Sequence, residues 1–184
     1  MFKINIAIDL DGTLFPTYET IESVFLRMFG PNIDWKALKT SDEYRNSEKG
    51  KWIIRTLNRE RLYNALVMSS EAKYFLEELK ERGDHFIYWT ARPTHLRNVT
   101  LYSLGKNEVP LGPVYFVPRS NAASRKLLVA KAEKIDIAIE DNPDVASELN
   151  KICKVILINH DYNQKCDCNR RVNSWSEINK IFTV

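Results

Sequence analysis

Long apolar runs are missing from this chain of 184 residues. No stretch approaches the roughly 18 to 20 uninterrupted apolar residues of a membrane helix, so no membrane association is expected. Charge of one sign is lacking too. Lys and Arg number 27 against 24 Asp and Glu, a net charge of +3, which leaves out the bulk basicity that holds a nucleic-acid polymer. Cysteine is scarce: Cys153 stands alone, and Cys166 and Cys168 flank Asp167. They form neither a disulfide framework nor the paired Cys-x-x-Cys halves of a zinc site, and read as reduced thiols. With 6 glycines and 7 prolines, no collagenous or low-complexity segment is possible. Met1-Phe2-Lys3-Ile4 runs into strand-like residues without the apolar core of a secretory signal, so the cytoplasm is the expected location. What remains is an ordinary globular composition, 44% hydrophobic and 28% charged. At about 150 residues per domain, it amounts to one domain with room for an insert.

The information lies in local order. Five short runs rich in β-branched and aromatic residues are continuous rather than alternating: Ile4 to Ile8, Phe86 to Trp89, Val114 to Val117, Ile135 to Ile139 and Val155 to Ile158. Strands covered on both faces read this way, and helical patterns lie between the runs, so an α/β fold around a parallel sheet is expected. Ala72, Phe75, Leu76 and Leu79 share one face of a helix opened by Ser69-Ser70 and closed by Gly83. Others are expected from Pro93-Thr94 to Gly105 and over about Ser124 to Lys134, with Leu127, Leu128 and Ala130 apolar. Two more open at Asn142-Pro143 and at Ser174-Trp175-Ser176-Glu177.

One interval breaks the alternation. No strand pattern occurs between the first run and residue 71, and an unstructured loop of that length would be improbable. Ile21, Val24, Phe25 and Met28 keep helical spacing up to Gly30-Pro31, and Trp52, Ile53, Leu57, Leu62 and Leu66 suggest further helices. Residues 16–70 are therefore read as a helical cap, or lid, inserted into a core made of residues 1–15 and 71–184.

In an open parallel sheet, ligands bind beyond the carboxyl ends of the strands, where strand order reverses. The first run ends in Asp9-Leu10-Asp11-Gly12-Thr13. Alone, this reads as an Asp-Gly turn with capping aspartates. A calcium loop fits poorly, because Gly12 follows Asp11 without a third acidic position. The second run ends Tyr88-Trp89-Thr90-Ala91-Arg92 and the fourth Ile139-Glu140-Asp141-Asn142-Pro143-Asp144. Thr90 can cap a helix and Glu140-Asp141 can face a helix dipole. Their joint placement at one sheet edge is harder to attribute to capping.

With these motifs in this order, followed across Thr90 by a lysine and then Glu140-Asp141, the sequence resembles the haloacid-dehalogenase superfamily of aspartate-nucleophile phosphatases. Trp89-Thr90-Ala91-Arg92, Ile139-Glu140-Asp141, Asp161-Tyr162-Asn163-Gln164 and Arg171-Val172-Asn173-Ser174-Trp175 resemble the bacterial and viral branch related to the 5'(3')-deoxyribonucleotidases. The resemblance covers nearly the whole chain outside the insert. It implies a three-layer sandwich around a five-stranded parallel, Rossmann-like sheet of order 5-4-1-2-3.

The resemblance also implies roles. Asp9 attacks phosphorus and becomes an aspartyl phosphate, while Asp11 protonates the leaving oxygen and later deprotonates water. Mg²⁺ is the implied cofactor, held by the Asp9 carboxylate, the Asp11 main-chain carbonyl and Asp141, with Glu140 or Asp144 behind them. Thr90 and the Ala91 N–H bind phosphate oxygens, with Lys126 favoured over Lys131, Lys134 and Arg125 as the balancing cation. Arg92 is expected to touch phosphate or the lid, or to form a surface ion pair. Among the insert aromatics Tyr18, Phe25, Phe29, Trp35, Tyr44, Trp52 and Tyr63, Tyr18 is the candidate pocket wall, and Phe25 and Phe29 are expected in the insert's own core. His85, His95 and His160 share no metal spacing and read as structural or surface residues. The expected partner is a small phosphorylated substrate, with a nucleoside monophosphate leading and a sugar phosphate second. A non-catalytic phosphate-binding protein is the reading from another class, and it leaves the full set of acidic residues without a task.

Overall fold

Alternate side chains of the inner strands serve two separate cores, one on either side of the sheet. The computed structural model describes residues 3–30, 34, 37, 41–56 and 59–182; Trp35 and Leu57 lie outside them. The strands are β1 (Asn5–Asp9), β2 (His85–Thr90), β3 (Val114–Phe116), β4 (Ile137–Glu140), β5 (Lys154–Ile158) and β6 (Arg170–Val172). They form one sheet, ordered β3-β2-β1-β4-β5-β6, and every pairing is parallel. The first five follow the expected order, but the sheet has six strands rather than five. Strand β6 is three residues long, begins Arg170-Arg171 and pairs only along β5, so an apolar run could not announce it.

One core takes Ile6, Ile8, Phe86, Tyr88, Ile156 and Ile158 from the sheet. Against them pack α5 (Ser70–Arg82), through Ala72, Phe75, Leu76 and Leu79, and α9 (Trp175–Phe182), through Trp175 and Ile178. The other core takes Ala7, Ile87, Trp89, Ala138, Val155 and Leu157, covered by α7 (Ala122–Ala132) and α8 (Pro143–Leu149). Full burial of side chains such as Ile6 or Ile8 contributes about 1.5 to 3 kcal/mol each. Both faces of the central strands are therefore covered, and the buried polar residues Asp9, Thr90, Glu140 and Asp141 gather at the carboxyl edge.

Local signals set the helix ends as expected. The Ser69 side chain accepts from Ala72 N, and Gly83, at φ 69°, closes α5 in the left-handed conformation. Asn142 accepts from the main-chain N–H groups of Asp144 and Val145, with Pro143 at the first turn of α8. Helix α6 (Arg97–Lys106) follows a short 3₁₀ turn at Thr94–Leu96. Of the apolar positions expected on α7, Ala130 is buried and Leu127 packs against the same core, but Leu128 is 55% exposed, and Lys126, 2% exposed, lies on the inner face four residues before Ala130. A helix face is fixed by what it packs on, and α7 turns a lysine inward because carboxylates wait there.

Between β1 and α5 come α1 (Thr17–Phe29), α2 (Asp42–Asn46), α3 (Glu48–Thr56) and α4 (Arg59–Asn64). Phe25 and Ile53 are fully buried, with Phe29 and Tyr44 packed against them, so Phe25 and Phe29 do belong to a small local core. No described helix is long and apolar enough to cross a membrane.

Candidate active site

The chain leaves β1 through a tight loop in which Leu14 N donates to Asp9 O and Phe15 N to Leu10 O, at 3.1 and 2.8 Å. Gly12 sits at φ 83°, and a Cβ there would overlap the Asp141 carboxylate, so position 12 requires glycine for backbone and space alike. The loop is tied down from behind by Trp175, whose Nε1 donates to Thr13 O at 3.0 Å. It presents Asp9 inward and Asp11 toward the insert.

Asp9, Glu140 and Asp141 bring carboxylate oxygens within 4.8 Å of one another, all three buried. Lys126 enters this cluster from α7, donating to Asp9 Oδ1 at 2.5 Å and Glu140 Oε1 at 2.6 Å. Burial works against its charge, but Asp9 and Glu140 outweigh burial and hold the ammonium protonated. Three carboxylates against one ammonium leave the pocket short of positive charge. Burial, with the Asp9 charge beside it, pushes Asp141 up to about 7 despite a hydrogen bond from Tyr162. Burial also raises Asp9, opposed by Lys126. Buried oxygen donors lacking a counter-charge form the donor set that a hard divalent cation completes, so these residues fit Mg²⁺.

Asp11 is held differently. Arg92 Nε donates to its Oδ2 at 2.8 Å and Arg92 Nη2 to its Oδ1 at 2.7 Å, a two-point fork. Thr17 Oγ1, at the start of α1, donates to Oδ1 at 2.8 Å, and Thr90 Oγ1 lies 3.4 Å from Oδ2. Arg92 is only 2% exposed. Its Nη1 donates to Thr100 Oγ1 at 3.2 Å, and its guanidinium lies 3.9 Å from the centroid of the Tyr63 ring. Thr90 is fully buried, and its hydroxyl also accepts from Arg92 N at 3.1 Å.

An aromatic wall rises on the other side. His160 and Tyr162 stack with centroids 5.0 Å apart, and Tyr18 meets both edge-on, at 6.4 and 5.5 Å. The Tyr162 hydroxyl donates to Asp141 Oδ2, and a His160 ring nitrogen lies 2.7 Å from Gly12 O. Asn163 anchors the segment by donating to Asp141 O at 2.7 Å, and Arg171 braces it with bonds to Asn163 and to the carbonyl of Cys166. Among the sequence candidates, Asp9, Asp11, Thr90, Arg92, Lys126, Glu140, Asp141 and Tyr18 come together. Arg125, Lys131, Lys134 and Asp144 are exposed. Thr17, His160, Tyr162 and Asn163 belong to the site without having been assigned a part in it. The Asp161-Tyr162-Asn163-Gln164 pattern marks the segment of Tyr162 and Asn163, but no spacing rule connects it to residue 141.

A family profile described as "5' nucleotidase, deoxy (Pyrimidine), cytosolic type C protein" matches residues 3–184. A nucleotidase from Clostridium acetobutylicum is 28% identical over 176 residues, covering 90% of this chain and 85% of that protein. A haloacid dehalogenase-like hydrolase from Streptococcus pneumoniae superposes with a TM-score of 0.71 at 16% identity, covering 98% of each chain. A haloacid dehalogenase-family hydrolase from Deinococcus radiodurans, solved with phosphate and sodium, gives 0.63 at 14% identity, covering 99% of this chain and 95% of that one.

Proposed function

We propose that this chain, which belongs to the cytosolic type C 5' nucleotidase family and is a phosphatase of the haloacid-dehalogenase type, hydrolyses nucleoside 5'- or 3'-monophosphates in the cytoplasm through an aspartyl phosphate. The carrying observation is the buried Asp9 carboxylate at the end of β1, with Lys126 on one side and Asp141 on the other. In the first step an Asp9 oxygen forms a bond to phosphorus while the bond to the ester oxygen breaks. Asp11, which enters this step protonated, gives that oxygen its proton, and the alcohol leaves. In the second step Asp11 takes a proton from water, whose oxygen displaces Asp9 and releases inorganic phosphate.

Asp9, Asp141 and the main-chain carbonyl of Asp11 would hold Mg²⁺, which offsets the charge of phosphate and carboxylate as they approach. Lys126 keeps Asp9 oriented and adds the remaining positive charge. Thr90 and the Ala91 N–H are assigned to phosphate oxygens. Residues 16–70 act as the lid over a core of residues 1–15 and 71–184. Tyr18 and Tyr162, 42% and 49% exposed beside Gly12 and Asp141, offer ring surface to a nucleobase, which favours a nucleotide over a sugar phosphate.

Phosphate release with Mg²⁺ from a panel of ribo- and deoxynucleoside monophosphates and of sugar phosphates tests this reading. Higher kcat/KM for nucleotides, lowered by Tyr18→Ala, is expected. Preference for sugar phosphates, indifferent to Tyr18, would assign the site to another small metabolite.

A further inference from the structure

We propose that Arg92 is a positioning residue for proton transfer, holding the Asp11 carboxylate in the orientation from which it serves the ester oxygen. The inference rests on the proposed hydrolysis and adds to it a residue that never touches phosphate.

Arg92 sits two residues beyond the end of β2, and its guanidinium is enclosed rather than open to the site. Its fork takes both oxygens of Asp11, its remaining terminal nitrogen is fixed by Thr100 Oγ1, and one face lies against Tyr63. Thr100 is itself fully buried and donates onward to Leu96 O at 2.9 Å, so the anchor is held in turn. An arginine waiting for an anion would keep donors directed at open space; this one spends Nε, Nη1 and Nη2 on protein oxygens. The side chain of Arg92 is 1% exposed, against 25% for Asp11, so the carboxylate, not the guanidinium, faces solvent and ligand. A flexible carboxylate on a loop loses rotational freedom when gripped at two points, and catalytic groups depend on such placement.

The consequence appears in the leaving-group dependence. A nucleoside alkoxide needs a proton as the P–O bond breaks, whereas 4-nitrophenolate leaves with its electron pair unaided. Arg92→Ala is therefore expected to lower kcat/KM for a deoxynucleoside 5'-monophosphate about 100-fold. For 4-nitrophenyl phosphate the expected fall is less than about fivefold. Arg92→Lys, which keeps the charge but loses the fork, should rescue little of the first loss. Thr100→Val removes the anchor and leaves the guanidinium in place; it should reproduce the same selectivity at about three- to tenfold, and does so even where the Arg92 variants fold poorly.

Equal losses on both substrates, or full rescue by lysine, would overturn the positioning role and make Arg92 a charge for phosphate. Wild-type protein inactive with Mg²⁺ on both esters would instead remove the hydrolytic reading, and this inference with it.

Discussion

Lys126 Nζ stands between Asp9 and Glu140, 2.5 and 2.6 Å from their oxygens, with the three side chains at most 7% exposed. An ammonium withdrawn from water costs several kcal/mol, which contact with two carboxylates offsets. Lys126→Met leaves both carboxylates buried without a cation. We expect it to destabilise the protein by about 3 to 5 kcal/mol in urea unfolding, beside its effect on turnover. An unfolding midpoint equal to that of the wild type would show that the triad adds nothing to the fold.

The aspartates should separate by role. Asp9→Asn removes the proposed nucleophile and is expected to abolish phosphate release. Undiminished activity would rule out the covalent route. Asp11→Asn should reduce turnover at least about 100-fold while leaving Mg²⁺ affinity near wild type by calorimetry, because its assigned metal ligand is the main-chain carbonyl. Asp141→Asn should lower that affinity, and an equal loss in Asp11→Asn would contradict the assignment.

Metal-free protein should become less stable as pH rises through the neutral range. Burial places Asp141 at about 7 when folded, against an ordinary value of 3.8. The folded chain therefore binds more protons than the unfolded one between about pH 4 and pH 7, and stability falls across that window. Asp9 and Glu140, also raised by burial, steepen the fall. Lys126, raised from its ordinary 10.5, contributes a constant amount there because both states remain protonated. Mg²⁺ binds ionised carboxylates, so it should raise the melting temperature at pH 8 far more than at pH 5. Melting curves with EDTA and with Mg²⁺ check this, and a metal effect equal at both pH values would refute it.

Gly12→Ala tests the close approach of loop and carboxylate. A Cβ would meet Asp141 Oδ2, and φ 83° strains any side chain. The expected cost is about 1 to 3 kcal/mol of stability. A loss of Mg²⁺ affinity should accompany it, since Asp141 must move. Wild-type affinity with reduced stability would show that the strain stays in the loop.

Several features were legible because short-range physics encodes them. The caps at Ser69 and Asn142 and the stop at Gly83 lie where turn chemistry puts them. Strand β6 was not legible, since an edge strand of three residues with two arginines carries no apolar signature. On α7 the apolar pattern does not separate Leu128, which is exposed, from Leu127 and Ala130, and Lys126 is drawn inward by partners 117 and 14 positions away.

The sequence by itself determined the alternation of strands and helices and the acidic and hydroxyl residues at the strand ends, because periodicity and turn residues act over a few positions. The tertiary structure decided that Arg92 grips Asp11, that Tyr162 and Thr13 reach Asp141, and that Lys126 is the lysine at Asp9. Each of these depends on segments far apart in the chain meeting at one sheet edge. Where such segments meet is set by strand order and helix packing, and no local pattern contains either.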